Sequence, residues 1–322
     1  MLSAACSPTR HHTRPLPEIL GINSELRPEE STLYSFDGAR LGLSFWPALQ
    51  DGPVTHVILG VHGMNDYAQA FEMAAPYWTE RGASVYAYDQ RGFGRSEGRG
   101  RWPEEDVMRR DLRTALTLIK AQHPEATVTL VGMSMGASVA MSLYGTGEAP
   151  PEIDRLILSG PGLRGWGGLP LAHRISLWLS STLRPAWNVT PPKRIMREIM
   201  PSDNYDMLFA RGRDPLNQFE NRIDQVYGVV AIMETAHKAT PNLPENTLFL
   251  YGAKDDVIPE YFARRTTPDL PAHVRTAYYE NGYHMLMRDL QAETVWADQW
   301  AFMQDPATPL PSNAPPLPWI SE

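Results

Sequence analysis

One serine lies where a strand-to-helix turn would expose a nucleophile. Ser134 is at the centre of Gly132-Met133-Ser134-Met135-Gly136, after an apolar run at 127–131 and before a helical pattern. A serine flanked by glycines two positions away on each side predicts a turn too tight for a Cβ at the glycine positions, with the serine strained and its hydroxyl exposed. The sequence therefore predicts that Ser134 is a nucleophile at the start of a helix.

A serine hydroxyl needs a base, oriented by a third group, before it can attack a carbonyl near neutral pH. Asp255 follows an apolar strand pattern at 247–251, and His284 follows another at 274–279. Because Ser134, Asp255 and His284 occur in this order, each at the end of a predicted strand, they predict a catalytic triad.

Two backbone amides could stabilise an oxyanion beside this triad. Met135 opens the predicted helix, and Met64 follows His62-Gly63 directly after a predicted strand at 54–61. Amides at a helix N-terminus and in a loop after a strand can point at one developing charge, so we expect both to form an oxyanion hole. The segment at 88–96 contains Gly92 and Gly94, but with the next glycine at Gly98 it lacks the dinucleotide-binding spacing, and it is predicted to be a rigid loop beside the site.

The composition disfavours several other classes of function. The 322 residues include 29 Lys and Arg against 37 Asp and Glu, a net charge of −8 with no basic stripe, so no nucleic-acid partner is expected. No apolar run is long enough for a transmembrane helix. Cys6 is the only cysteine, and the nine histidines form no metal-binding motif, so no intrachain disulfide and no metal site are expected.

Apolar strand patterns alternate with helix-length amphipathic segments along most of the chain. This pattern predicts an α/β fold with a mostly parallel sheet covered by helices on both faces. The predicted organisation is an N-terminal tail or linker at 1–28, a core at 29–160 and 247–303, and a Pro-rich C-terminal tail at 304–322. Between the two core segments, residues 161–246 are predicted to form a helical cap.

The first half of this cap is unusually apolar. Residues 169–187 contain eight leucine, isoleucine and tryptophan side chains and few charges. One interpretation is ordinary core packing of a helix. The other is a lid over a hydrocarbon-binding site, in which Trp178 and Leu179 contact the substrate.

The assembled motifs resemble the α/β-hydrolase superfamily, and more closely its monoacylglycerol lipase and lysophospholipase group. The resemblance rests on His62-Gly63, Asp89-x-Arg91-Gly92-x-Gly94-x-Ser96, Gly132-x-Ser134-Met135-Gly136, Gly252-x-x-Asp255 and Gly282-x-His284, and covers about 31–303. It implies that Asn65 and Asp66 lie near the polar end of the substrate. It also favours Asp255 over the adjacent Asp256 as the partner of His284, leaving Asp256 to accept backbone N–H groups of the next turn.

The resemblance implies a cofactor-free serine hydrolase of monoacyl lipid esters such as monoglycerides or lysophospholipids. An esterase, acyltransferase, peptidase or perhydrolase would share the same catalytic residues. A non-catalytic small-molecule-binding protein on the same scaffold is a further alternative, although no triad member is missing. The serine in the turn disfavours a haloalkane dehalogenase, which has aspartate there.

The segment ending in Cys6 resembles the end of a bacterial lipoprotein signal. Small residues precede the cysteine and a Pro-containing linker follows it, but the usual apolar stretch is absent. Two expectations stay open: an incidental cysteine in a cytoplasmic protein, or an acylated Cys6 that tethers a hydrolase to the cell envelope.

Overall fold

The computed structural model describes residues 24–148, 153–190 and 199–320, which contain eleven strands and eight α-helices. The strands are β1 Glu25–Arg27, β2 Thr32–Tyr34, β3 Arg40–Trp46, β4 His56–Val61, β5 Ala83–Tyr88, β6 Thr127–Met133, β7 Arg155–Ser159, β8 Asn188–Val189, β9 Asn221–Arg222, β10 Thr247–Gly252 and β11 Arg275–Tyr279. The helices are α1 Ala75–Thr79, α2 Glu105–Gln122, α3 Met135–Ser142, α4 Leu171–Leu183, α5 Tyr205–Arg213, α6 Ile223–Ala239, α7 Glu260–Thr266 and α8 Ala292–Gln304.

Nine strands form one mixed sheet in the order β1-β2-β3-β5-β4-β6-β7-β10-β11. The strands from β5 to β11 in this order are parallel, whereas β1, β2 and β3 join antiparallel at one edge. The carboxyl ends of parallel strands meet at one edge of a sheet, where open α/β folds bind their ligands. The loops after β4, β6, β10 and β11 therefore lie on the same side of the molecule.

Helices cover both faces of the sheet, as predicted. On one face, α1 and α8 contribute Trp78, Val295 and Phe302 to a buried apolar cluster. On the other face, α2, α3, α6 and α7 form a second cluster, with Leu112 on α2 and Ile232 on α6 among its members. Because helices cover both faces, the central strands β4, β5 and β6 are buried along almost their whole length, and buried residues do not alternate with exposed ones.

Two predicted elements differ from the structure. The sequence pattern at 68–81 predicts a single helix, but the structure has a 3₁₀ turn, Ala68–Phe71, followed by the short α1, which has Pro76 in its first turn. Proline lacks a backbone N–H and is tolerated only there, so it begins a new helix instead of continuing the previous one.

The segment expected as a cap, 161–246, divides into two parts. The helix α4, the helix α5 and the two-stranded β8–β9 sheet lie outside the main sheet. In contrast, α6 packs on α3, and its Ile232, Met233 and Ala236 are buried in the core. The α6 helix therefore belongs with the body, and the part that is separate from the body ends before the predicted boundary at residue 246.

The Pro-rich C-terminal segment lies against the body instead of extending away as a tail. The backbone N–H of Tyr278 on β11 donates to the carbonyl of Pro315 at 2.8 Å, and Leu310, Leu317 and Trp319 are buried. The segment thus covers the free edge of β11, which would otherwise expose unpaired backbone groups. Cys6 and most of the predicted N-terminal tail lie outside the described residues. Among the described helices, none is long and apolar enough to cross a membrane.

Candidate active site

Ser134 occupies a strained turn between β6 and α3. Its backbone has φ 51° and ψ −118°, a combination that non-glycine residues rarely adopt. A Cβ at Gly132 would lie 2.6 Å from Ala137 Cα, and one at Gly136 would lie 2.1 Å from the carbonyl oxygen of Val61. The two glycines are therefore required for the strand, the helix and the neighbouring strand to approach this closely.

Backbone hydrogen bonds hold this strained turn in place. The Ser134 N–H donates to the Ser159 carbonyl at 3.1 Å, and the Ser134 carbonyl accepts from the N–H groups of Ser138 and Gly162 at 3.1 and 3.0 Å. These bonds tie the turn to β7 and α3. The surrounding structure therefore stabilises a backbone conformation that is unfavourable for a serine by itself.

The loops after β10 and β11 bring an aspartate and a histidine to this serine. His284 Nε2 lies 2.9 Å from Ser134 Oγ, and His284 Nδ1 lies 2.7 Å from Asp255 Oδ2. The other carboxylate oxygen of Asp255, Oδ1, accepts the backbone N–H groups of Val257 and Ile258 at 2.9 and 2.7 Å. With Nδ1–H donating to Asp255, the Nε2 lone pair of His284 is free to accept the serine proton.

Asp256 is exposed and does not contact His284. The expectation that Asp256 accepts the backbone N–H groups of the following turn is wrong, because Asp255 accepts them through the oxygen that does not face His284. One side chain thus both pairs with the imidazole and closes its own turn, which fixes the orientation of the carboxylate.

The loop after β4 passes close to the serine. A Cβ at Gly63 would lie 3.1 Å from Ser134 Cβ, and Met64 lines the cavity beside it. Met135 is the first residue of α3, and amides in the first turn of a helix have no acceptor within the helix. The two predicted oxyanion-hole residues therefore both lie next to the serine, Met135 in the chain and Met64 in the wall of the cavity that Ser134 also lines.

Buried polar groups hold the loop after β4 in position. His62 Nδ1 donates to the Gly63 carbonyl at 2.8 Å, while its Nε2 accepts the Gln90 N–H at 2.8 Å. Burial lowers the pKa of His62, so the ring stays neutral with a defined tautomer. The predicted rigid loop at 88–96 thereby supports the active site, because its Gln90 holds His62 in place.

A cavity of about 260 Å³ opens onto Ser134 and His284, and both Asn65 and Asp66 line it. Asp66 is buried and accepts from Arg288 Nη1 at 2.7 Å and Arg211 Nε at 3.4 Å. Burial alone would raise the pKa of Asp66, but the two guanidinium groups lower it below the ordinary value, so the carboxylate is ionised. Arg211 and Arg288 were not predicted from the sequence; the position of Arg288, four residues after His284, is the only signal for it.

Trp178 and Leu179 lie on α4 and are not among the residues that line this cavity. Their side chains are 40% and 46% exposed. Leu171, Ile175 and Leu183 on the same helix are also exposed. The apolar character of α4 therefore does not come from burial in the protein core, contrary to the first of the two interpretations of this segment.

Comparison with known proteins assigns the chain to a family. A family described as "Serine aminopeptidase, S33" matches residues 52–291, which are 240 of the 322 residues. The chain belongs to this family. The monoglyceride lipase of Rattus norvegicus is 26% identical over 274 residues, covering 81% of this chain and 85% of the relative. A monoacylglycerol lipase of Mycolicibacterium smegmatis is 29% identical over 142 residues, which cover 44% of this chain and 49% of the relative.

Solved structures show the same fold. A soluble variant of monoglyceride lipase from Saccharomyces cerevisiae, in complex with a substrate analogue, superposes with a TM-score of 0.69 at 20% identity, covering 92% of this chain and all of the other. The monoacylglycerol lipase of Paleococcus ferrophilus superposes with a TM-score of 0.64 at 20% identity, covering 82% of this chain and 98% of the other. The predicted α/β-hydrolase fold and the resemblance to monoacylglycerol lipases are confirmed, and the chain is a hydrolase that acts on esters.

Proposed function

We propose that this chain is a serine hydrolase that cleaves monoacyl lipid esters through an acyl-enzyme. The main support for this proposal is that Ser134, His284 and Asp255 are hydrogen-bonded in sequence beside a cavity. The similarity to monoglyceride lipases supports a lipid ester as the substrate.

In the proposed first step, His284 Nε2 takes the Ser134 proton as Oγ attacks the ester carbonyl. Asp255 stabilises the imidazolium that forms and keeps its ring oriented. The amides of Met64 and Met135 donate to the oxyanion, and the imidazolium returns the proton to the departing alcohol. Water, activated by the same histidine, then attacks the acyl-enzyme and releases the fatty acid.

Asn65 and Asp66 are proposed to face the polar end of the substrate, since both line the cavity next to the serine. Trp178 and Leu179 are proposed to contact the acyl chain when substrate is bound. Support for this role is the exposed apolar surface of α4, because exposed apolar side chains concentrated on one helix indicate a binding surface.

The test is a hydrolysis panel together with active-site labelling. We expect hydrolysis of p-nitrophenyl esters, monoglycerides and lysophospholipids, and little hydrolysis of an aminoacyl p-nitroanilide. A serine-reactive phosphonate should label Ser134, and Ser134→Ala should lose label and activity, whereas Ser31→Ala, at an exposed serine between β1 and β2, should retain both. Full esterase activity in Ser134→Ala would exclude the mechanism.

A further inference from the structure

A second cavity, of about 490 Å³, lies beside the catalytic one, and Arg288 lines both. Tyr67, which follows Asp66 in the chain, and Arg211, which donates to Asp66, also line the second cavity. The two cavities therefore meet at the group of charged side chains formed by Asp66, Arg211 and Arg288. A substrate whose ester lies at Ser134 could extend past this group only with a polar or charged portion.

Arg288 has hydrogen-bond donors that no protein group accepts. The residue is only 5% exposed, its Nη1 donates to Asp66, and its Nε is buried without a partner. A buried donor without an acceptor is costly, and a guanidinium matches the oxygens of a phosphate group. Since Arg211 also faces Asp66, two cations share one carboxylate, and one positive charge stays uncompensated in this group.

Groups of the opposite charge also line the second cavity. Three carboxylates line it, those of Glu72, Asp206 and Asp214. The adjacent Asn217 is 7% exposed, and its Oδ1 is buried without a donor. The carboxylates alone would not define a site, but an unpaired buried acceptor in the same wall is suited to a ligand that carries N–H groups.

We propose that the two cavities together bind a zwitterionic lysophospholipid whose headgroup carries a primary ammonium. Its ester lies at Ser134, its phosphate accepts from Arg288, and its ammonium lies among Glu72, Asp206 and Asn217. This inference rests on the proposed function and narrows its substrate class. The reaction is the ester hydrolysis proposed above. One water is consumed, the acyl C–O bond breaks, and the products are a fatty acid and the deacylated glycerophosphodiester.

The test compares kcat/KM for three monomeric lipids with the same acyl chain: lysophosphatidylethanolamine, lysophosphatidic acid and a monoglyceride. We expect the wild-type protein to prefer lysophosphatidylethanolamine to the monoglyceride. Arg288→Gln should lower the ratio of these two values at least about ten-fold, the size of a lost hydrogen bond to a charged group. The control Arg109→Gln, at a largely buried arginine on α2 that lines neither cavity, should keep the wild-type ratio.

A second variant tests the ammonium position without removing a buried arginine. Glu72→Gln/Asp206→Asn should lower kcat/KM for lysophosphatidylethanolamine and leave that for lysophosphatidic acid equal or higher, because only the first substrate carries a cation. Glu80→Gln, at an exposed carboxylate outside the cavity, should change neither value.

Ratios that stay at their wild-type values in both variants would overturn the headgroup assignment while the ester hydrolysis itself stands. A wild-type protein that prefers the monoglyceride to both phospholipids would do the same. Failure to hydrolyse even a neutral p-nitrophenyl ester would instead overturn the proposed function.

Discussion

The two carboxylate oxygens of Asp255 have different roles, and this difference makes the contribution of Asp255 testable. Its Oδ2 faces His284, while its Oδ1 accepts two backbone N–H groups. In Asp255→Asn, the amide oxygen is held by those N–H groups, so the NH₂ group faces the imidazole. The ring must then accept at Nδ1, which places a proton on Nε2 and prevents it from acting as a base.

We therefore expect Asp255→Asn to lower kcat about 10³- to 10⁴-fold with little change in the free energy of unfolding. Asp256→Asn is the matched control at the adjacent exposed carboxylate and should keep near-wild-type kcat. Steady-state kinetics of both variants on one p-nitrophenyl ester decide the assignment. An inactive Asp256→Asn beside an active Asp255→Asn would reverse it.

A second carboxylate near His284, Asp289, makes stability depend on pH. Asp289 is 2% exposed, accepts from Ser202 Oγ and the Tyr283 N–H, and burial raises its pKa to about 6. A folded-state pKa above the unfolded value means that the folded protein binds this proton more tightly. The stabilisation is therefore complete below about pH 4 and is lost as the pH rises to about 6.

Asp289→Asn has no proton to lose at this position. The free energy of unfolding of the variant relative to wild type should therefore increase by on the order of 2 kcal/mol between pH 4 and pH 7. Urea denaturation at several pH values across this interval measures the difference. A difference that stays constant with pH would show that Asp289 does not titrate there.

At the level of elements, the proposed role of α4 is to contact the acyl chain of the substrate with its exposed apolar side chains. Each buried CH₂ contributes about 0.8 kcal/mol, so an acyl-binding surface should raise kcat/KM about three- to four-fold per methylene until it is filled. Trp178→Gln/Leu179→Gln should flatten this dependence and leave short esters almost unaffected. The measurement is a series of p-nitrophenyl esters from acetyl to decanoyl. An unchanged slope in the double variant would exclude contact between α4 and the acyl chain.

The elements that position the triad could be predicted because each has a strong local signal. The strands β6 and β10 are short, mostly apolar runs, β11 is rich in β-branched and aromatic residues, and the glycines around Ser134 require a tight turn. The elements that could not be predicted depend on distant contacts. The placement of α6 on the body requires knowledge of its packing on α3, and Arg288 joins the site because the fold brings it to Asp66 and to the cavity wall.

At the scale of the whole molecule, a buried ionic network connects three distant parts of the chain. Arg91 is fully buried and pairs with Asp37 at 2.6 Å and Asp111 at 2.7 Å. Asp37 follows β2 and Asp111 lies on α2, so one guanidinium joins an edge of the sheet to a covering helix. Burial raises the pKa of Asp111 to about 6, which shows how costly its charge is even beside Arg91.

We expect Arg91→Met to destabilise the protein by about 3–5 kcal/mol, because two buried carboxylates lose their cation. Adding Asp37→Asn and Asp111→Asn should recover part of this loss, since the buried charges are then removed together. The free energies of unfolding of the single and triple variants, measured in urea at pH 7, test the network. A triple variant less stable than Arg91→Met would contradict this explanation.

The C-terminal segment packs on the body, which its proline-rich composition does not suggest. Proline-rich sequence favours extended backbone, and here that extended backbone runs along β11, the last strand of the sheet. Trp319 anchors its end: the side chain is buried against Tyr251 and Tyr278, and its Nε1 donates to Thr267 Oγ1 at 2.7 Å.

Trp319→Ala should therefore cost about 3 kcal/mol of unfolding free energy, whereas Ile320→Ala, at the half-exposed neighbour, should cost much less. Removal of residues 306–322 should in addition uncover the edge of β11 and increase aggregation on heating, because an unpaired edge strand can pair with another chain. Thermal unfolding monitored together with light scattering separates the two effects. If the truncated protein unfolded at the wild-type temperature without aggregating, the segment would have no structural role, and its burial would have to be explained by other contacts.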